Sequence, residues 1–170
     1  MLKLEIDDKT IWAVAGRTAK SKDALLRSSD EFGKERKASI QLIDADKVFG
    51  TDHLHSALEK AVRAFKSGEN VSDTLVTEMM LYLSGCRQIH EALDSIGLRE
   101  GSEKIVILID KDVRDLPAQF SLKEDDSVLS PKGKDIRYMG ITDVEAATAR
   151  ENRRIDLVLE RVASVDIKKK

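Results

Sequence analysis

A single cysteine, Cys86, is present. That excludes an internal disulfide and a zinc cluster built from cysteines. Aromatic residues make up 4% of the chain, too few for a broad base-stacking platform. No apolar run approaches the ~18 residues needed to span a membrane. The opening Met1-Leu-Lys-Leu-Glu-Ile6 lacks the layout of a secretory leader. These absences point to a cytoplasmic protein. Net charge is −2, so bulk charge does not draw the molecule to polyanions, and a nucleic-acid contact needs a local patch. There is no glycine-rich phosphate loop, no dinucleotide fingerprint and no Gly-x-Ser-x-Gly elbow. Serines and carboxylates form no spaced constellation. The expectation is therefore a non-catalytic chain with no cofactor and no metal. No internal repeat is visible, and low complexity is confined to the Lys168–Lys170 tail.

What is present is a chain of 170 residues with 41% apolar content, enough for one domain, residues 1–170, with a proper core. Charged residues are 35%, above the usual ~25%. The organising stretch runs from His53 to Leu98 and parses into three helices, each closed by a glycine: Gly68, Gly85 and Gly97. Leu54, Ala57, Leu58, Ala61, Ala64 and Phe65 give the first an apolar stripe. Ser72 is the expected N-cap of the second, with Val71 and Val76 as a hydrophobic staple. Leu75, Val76, Met79, Met80 and Leu83 form its apolar face. Ile89, Ala92, Leu93 and Ile96 do the same for the third.

Around that stretch, Leu2–Ile6 alternates as a half-buried strand and Asp7-Asp8-Lys9 turns into a second strand over 10–18, predicting a hairpin. Trp12 reads as core. A helix is predicted over 21–32, with Leu25, Leu26 and Phe32 inward and Gly33 near its end, then a strand over 38–43. Asp44 and Asp46 follow, read as a solvated turn rather than a metal pair. Residues 103–109 form an unbroken β-favouring run, the pattern of a central strand covered on both faces. A short helix broken near Pro117 is expected within 111–120, and a mobile surface loop over 121–134. A short strand over 135–140 comes next, and a capping box at Thr142–Glu145 opens the C-terminal helical region. Ile155, Val158, Leu159 and Val162 form the buried stripe of that region, and Val165–Ile167 reads as a last short strand. The fold class is α+β: a mixed, mostly antiparallel sheet of four or five strands packed with about five helices.

The turn before the third helix carries the most chemistry. Unpaired N–H groups at a helix start carry partial positive charge, and Arg87 beside them makes an anion-accepting corner. Glu78 lies beside an apolar face and needs a partner; Arg87 and Arg63 are the candidates. Lys60, Arg63 and Lys66 repeat at spacing three on the first helix and, with Arg87, suit two or three phosphates of a single-stranded end. Gln88 is placed to read a base edge and Tyr82 to stack one base. The plainer reading is that Arg87 pairs with Glu78 as scaffold and the lysines are a solvated face. His53 and His55, two apart, point different ways, so neither they nor His90 suggest zinc. Cys86 reads as a small buried hydrophobe.

The segments His53-Leu-His-Ser-Ala57, Lys60 to Asn70, Glu78-Met-Met-Leu-Tyr-Leu-Ser-Gly85 and Arg87-Gln-Ile-His-Glu-Ala-Leu93 resemble the small kinase-binding subunit of the KEOPS complex, the PRPK-binding protein family of animals, in its archaeal form. The resemblance covers residues 42–109, and Val158–Ala163 is similar to the family's closing helix; Cys86 stands where a charged residue is expected. It implies a non-catalytic subunit of a complex that makes threonylcarbamoyladenosine next to the tRNA anticodon. It also implies a kinase-like ATPase partner, docked near Leu81 and the C-terminal helix, and contact with the tRNA 3′ CCA end. On that basis Lys60, Arg63, Arg87 and Gln88 are expected to bind tRNA, supported by Glu78 and Tyr82. Two alternatives stand beside it: a structural adaptor without RNA contact, and a small-molecule transferase with an anion site at Arg87.

Overall fold

The computed structural model describes residues 1–167, so the lysine tail lies outside the described residues. Strands β1 (Leu2–Ile6) and β2 (Lys9–Arg17) form the expected hairpin, in register from Leu2 opposite Ala13 to Ile6 opposite Lys9. Asp7 turns the chain at φ 52°, a left-handed position that a short polar side chain tolerates. Helix α1 (Lys22–Arg36) follows, then β3 (Ile40–Asp44), and helices α2 (Gly50–Ser67), α3 (Leu75–Ser84) and α4 (Ile89–Ile96). Then come β4 (Lys104–Ile109), α5 (Leu116–Gln119), β5 (Lys123–Glu124), α6 (Asp143–Thr148) and α7 (Arg154–Ser164).

The sheet order is β1-β2-β4-β3, with β5 added to the far end of β2. Every described pairing is antiparallel. The architecture is α+β, with seven α-helices among the described residues where about five were expected. Strand β4 is central. Val106 and Leu108 face one helical layer, and Ile105, Ile107 and Ile109 face the other, which is why its sequence shows no polar alternation. The larger layer holds α2, α3, α4 and α7. The smaller one packs Leu25 and Phe32 of α1 with Leu116 and Phe120. Trp12 is partly buried against that smaller layer. Gly16 has a geometric duty, because a Cβ there would stand 2.3 Å from the Lys123 carbonyl oxygen. Its bareness lets β5 approach β2.

Several expectations need correction. Helix α1 runs past Gly33 and ends at Lys37, itself left-handed at φ 49°, and Leu26 is 43% exposed. Thr74, not Ser72, caps α3, its hydroxyl accepting from the Thr77 N–H, and Val71 lies exposed outside any staple. Gly68 and Gly85 are left-handed stops, whereas Gly97 is extended at φ −65°. On α4 only Ala92 and Ile96 turn inward, while Ile89 and Leu93 are 38% and 44% exposed. Pro117 starts a helix rather than breaking one, because the first helical N–H groups need no partner. The 121–134 segment is strapped down: β5 pairs with β2, and Val128 and Leu129 are buried. Arg137–Met139 is a 3₁₀ turn, not a strand. Val165 continues the helical backbone at the end of α7 and is buried, so no strand forms there. The Thr142–Glu145 capping box is present as expected.

Candidate functional site

Glu78 sits in the first turn of α3 and is fully buried. Its Oε2 accepts from the Val71 and Ser72 N–H groups, each at 2.9 Å, and from the Ser72 hydroxyl at 3.1 Å. The α2–α3 connection is thus folded around this carboxylate, which supplies acceptors that loop backbone otherwise lacks. Its other oxygen, Oε1, faces Arg87 Nη1 at 3.7 Å, close enough for an ion pair but not a hydrogen bond. Arg87 Nη2 donates to the Glu69 carbonyl at 3.4 Å. The Arg87 side chain is only 15% exposed. Of the two suggested partners for Glu78, Arg87 is the one that meets it, while Arg63 pairs with Glu59 one turn away at 2.9 Å.

Tyr82, one turn along α3, is also fully buried and donates its hydroxyl to Asp166 Oδ1 at 2.6 Å. Burial first, and the Asp166 carboxylate next, raise its ionisation above the usual tyrosine range. It is therefore not available to stack a base. Lys60 Nζ stands 3.9 Å from Asp166 Oδ2, with its side chain 18% exposed. Lys60, Tyr82, Glu78 and Arg87 are brought together, but as an internal polar seam joining α2, α3 and the end of α7. Arg63 is 60% exposed and Gln88 is exposed, and these two remain outward. Lys66 pairs with Asp7 at 2.6 Å. The three evenly spaced cations of α2 thus go to three different carboxylates.

The remaining polar candidates resolve cleanly. His53 is fully buried and accepts from the Phe49 N–H at 3.2 Å, while His55 is exposed, so the two do point apart. Burial pushes the His53 imidazole down to about 3. Cys86 is half-buried and carries a free thiol. Asp44 caps its own 3₁₀ turn by accepting from the Asp46 N–H, and among the described residues no group of three His, Cys, Asp or Glu is placed to hold a metal. No described helix is long and apolar enough to cross a membrane. Leu81, read as near the partner face, is buried; the exposed apolar side chains nearby in sequence are Ile89 and Leu93.

Sequence reasoning missed two features. Lys134 points inward and donates to the carbonyls of Ala45, Val48 and Val128 at 2.7, 2.6 and 2.6 Å. Burial pushes it down to about 8. A cavity of about 620 Å³ opens beside it, between the Pro131–Lys134 turn and the start of α7. Neither had a local signal, since both depend on segments that meet only in the fold.

The family model described as kinase binding protein CGI-121 matches residues 18–149. This chain belongs to the CGI-121 family. The matched region runs from α1 through α6 and so includes Glu78, Arg87 and the whole α2–α4 trio. A regulatory protein Cgi121 of Methanocaldococcus jannaschii is 27% identical over 130 residues, covering 76% of this chain and 85% of the relative. A KEOPS complex subunit Cgi121 of Pyrococcus abyssi is 41% identical over 46 residues, 27% of each chain. The CGI-121 match stops short of α7, so the Asp166 end of the polar seam lies beyond it.

Proposed function

We propose that this chain is the non-catalytic small subunit of a KEOPS-type tRNA-modifying complex, which makes threonylcarbamoyladenosine next to the anticodon. In it the chain binds and regulates a kinase-like ATPase subunit and contacts the tRNA 3′ CCA end. The observation that carries the reading is the CGI-121 match from α1 through α6, which takes in β3, β4 and the α2–α4 trio. The names of the two relatives, a regulatory protein and a complex subunit, support it. On this reading Arg63 and Gln88 make the outward RNA contacts, and Lys60 and Arg87 add positive field from behind them. Co-purification with the kinase-like ATPase, and electrophoretic shift of tRNA with and without its 3′ CCA, test the two halves separately. Arg63→Glu with Gln88→Ala should abolish the CCA-dependent shift and leave ATPase co-purification intact. An unchanged shift at low salt removes the RNA half; failure to co-purify removes the subunit half.

A second reading, an adaptor with no RNA contact, is favoured by one specific observation. Arg87 is turned onto Glu78 and Lys60 lies against Asp166, so little cation is offered at that surface. The same tRNA shift decides between the two.

A further inference from the structure

Strand β1 ends the sheet. Among the described residues it pairs with β2 alone, so its outer edge is open. The two-residue turn Asp7-Asp8 closes on Ile6 opposite Lys9, and a turn of that length closes on a hydrogen-bonded pair. Leu2, Leu4 and Ile6 therefore spend their backbone groups on β2, and Lys3 and Glu5 aim theirs outward. Both are exposed, with side chains 53% and 55% accessible, and in the single chain they pair with each other along the strand. An open edge is a template for another strand, and charges of one sign are the usual guard against it. Here the two charges are opposite in sign and stand on either side of Leu4. On the other face Leu2 and Ile6 are half-buried and flank a fully buried Leu4. A notch of about 250 Å³ lies beside Leu2, walled by Gly50, Thr51, Leu129 and Pro131.

We infer that the open edge of β1 docks a second copy of this chain, the two β1 strands pairing antiparallel about a two-fold axis at Leu4. In that register the outward backbone groups of Lys3 in one copy bond to those of Glu5 in the other. The same two side chains meet as opposite charges, and the symmetry makes the pair twice. Leu2 of one copy stands opposite Ile6 of the other, so the half-buried apolar side chains cover each other beside the notch. The competing registers fail on charge or on face. Centring the pair on Lys3 sets two lysines opposite each other, and centring it on Glu5 sets two glutamates opposite each other. A slip of one residue sets Leu4 against a charge. Parallel pairing places like charges side by side. A foreign strand would need a base and an acid at matching spacing, which a second β1 supplies by symmetry. The interface is one five-residue edge, short of the ~1,200 Å² that a standard interface buries, so the dimer is weak and forms with rising concentration. None of the residues given above to RNA takes part in it.

Sedimentation equilibrium of the full chain over a concentration series tests it. A monomer–dimer equilibrium is expected. Lys3→Glu alone and Glu5→Lys alone each set like charges opposite, and each should weaken the dimer about tenfold. Both substitutions together restore opposite charges and should recover the parent value. Mixing the two single variants should give a heterodimer although neither self-associates well, since each supplies the charge the other lacks. Glu5→Pro removes one outward N–H without touching the β2 ladder. It should abolish the dimer and leave circular dichroism unchanged. A chain that stays monomeric at every concentration overturns the inference. So does a dimer indifferent to both single reversals, or a double variant no better than the singles. Hydrogen exchange at the Lys3 and Glu5 amides that slows only when a different protein is added assigns the edge to that protein and also overturns it.

Discussion

Two buried ionisable side chains set the strongest local constraints. Glu78 accepts from two backbone N–H groups and one hydroxyl in addition to facing Arg87, so it organises a loop as well as balancing a charge. Removing one member of a buried pair costs ~3–5 kcal/mol. Partial exposure of Arg87 lets water take over part of its solvation, which lowers its share. Glu78→Ala should therefore cost more than Arg87→Ala, by roughly 1–2 kcal/mol for the loop donors left unpaired, in urea unfolding at neutral pH. His53 predicts a pH dependence. Its folded-state value is about 3, against 6.5 for the free imidazole. Between those values the unfolded chain binds a proton that the native chain refuses, so stability falls as pH falls. The slope from one such group is ~1.4 kcal/mol per pH unit, so about 2 kcal/mol should be lost between pH 7 and 5. His53→Gln, which keeps an acceptor for the Phe49 N–H, should remove that part of the slope.

Among the elements, the 121–134 segment shows how a polar stretch becomes ordered. It has few apolar side chains, and composition alone reads it as a free loop. Three anchors hold it: the pairing of β5 with β2, the buried Val128 and Leu129, and the Lys134 ammonium seated among three carbonyls. Lys134→Met keeps the stem and removes all three donors. A loss of about 2–4 kcal/mol is expected, since orphaned buried acceptors each cost ~1–3 kcal/mol and water recovers some of that. Hydrogen exchange should quicken over 125–136 and stay slow in β4. Helix α4 teaches the opposite lesson. Its apolar arc of Ile89, Ala92, Leu93 and Ile96 is legible in the sequence, yet the fold covers only Ala92 and Ile96.

For the molecule as a whole, a net charge of −2 means that any polyanion contact is local. If two or three phosphates are engaged, the log–log dependence of tRNA affinity on salt should have a slope of only about −1.5 to −2, from ~0.7 per phosphate for single strands. A slope several times steeper would show a broad basic surface instead. Periodicity was enough to place the hairpin, the central β4, the α2 stripe and the α6 capping box. Each follows from neighbours a few positions apart, and burying an apolar face leaves one answer. Family membership was likewise legible, because the α2–α4 segments carry it in contiguous residues. Which way the charged side chains turn was not. Tyr82 meets Asp166 across a separation of 84 residues, Lys60 meets the same carboxylate, and Arg87 turns inward because Glu78 and the Glu69 carbonyl are already there. Helical spacing states which side of a helix a side chain leaves from. Only the packing of α7 and the α2–α3 loop against that side decides whether it ends in water or against a carboxylate.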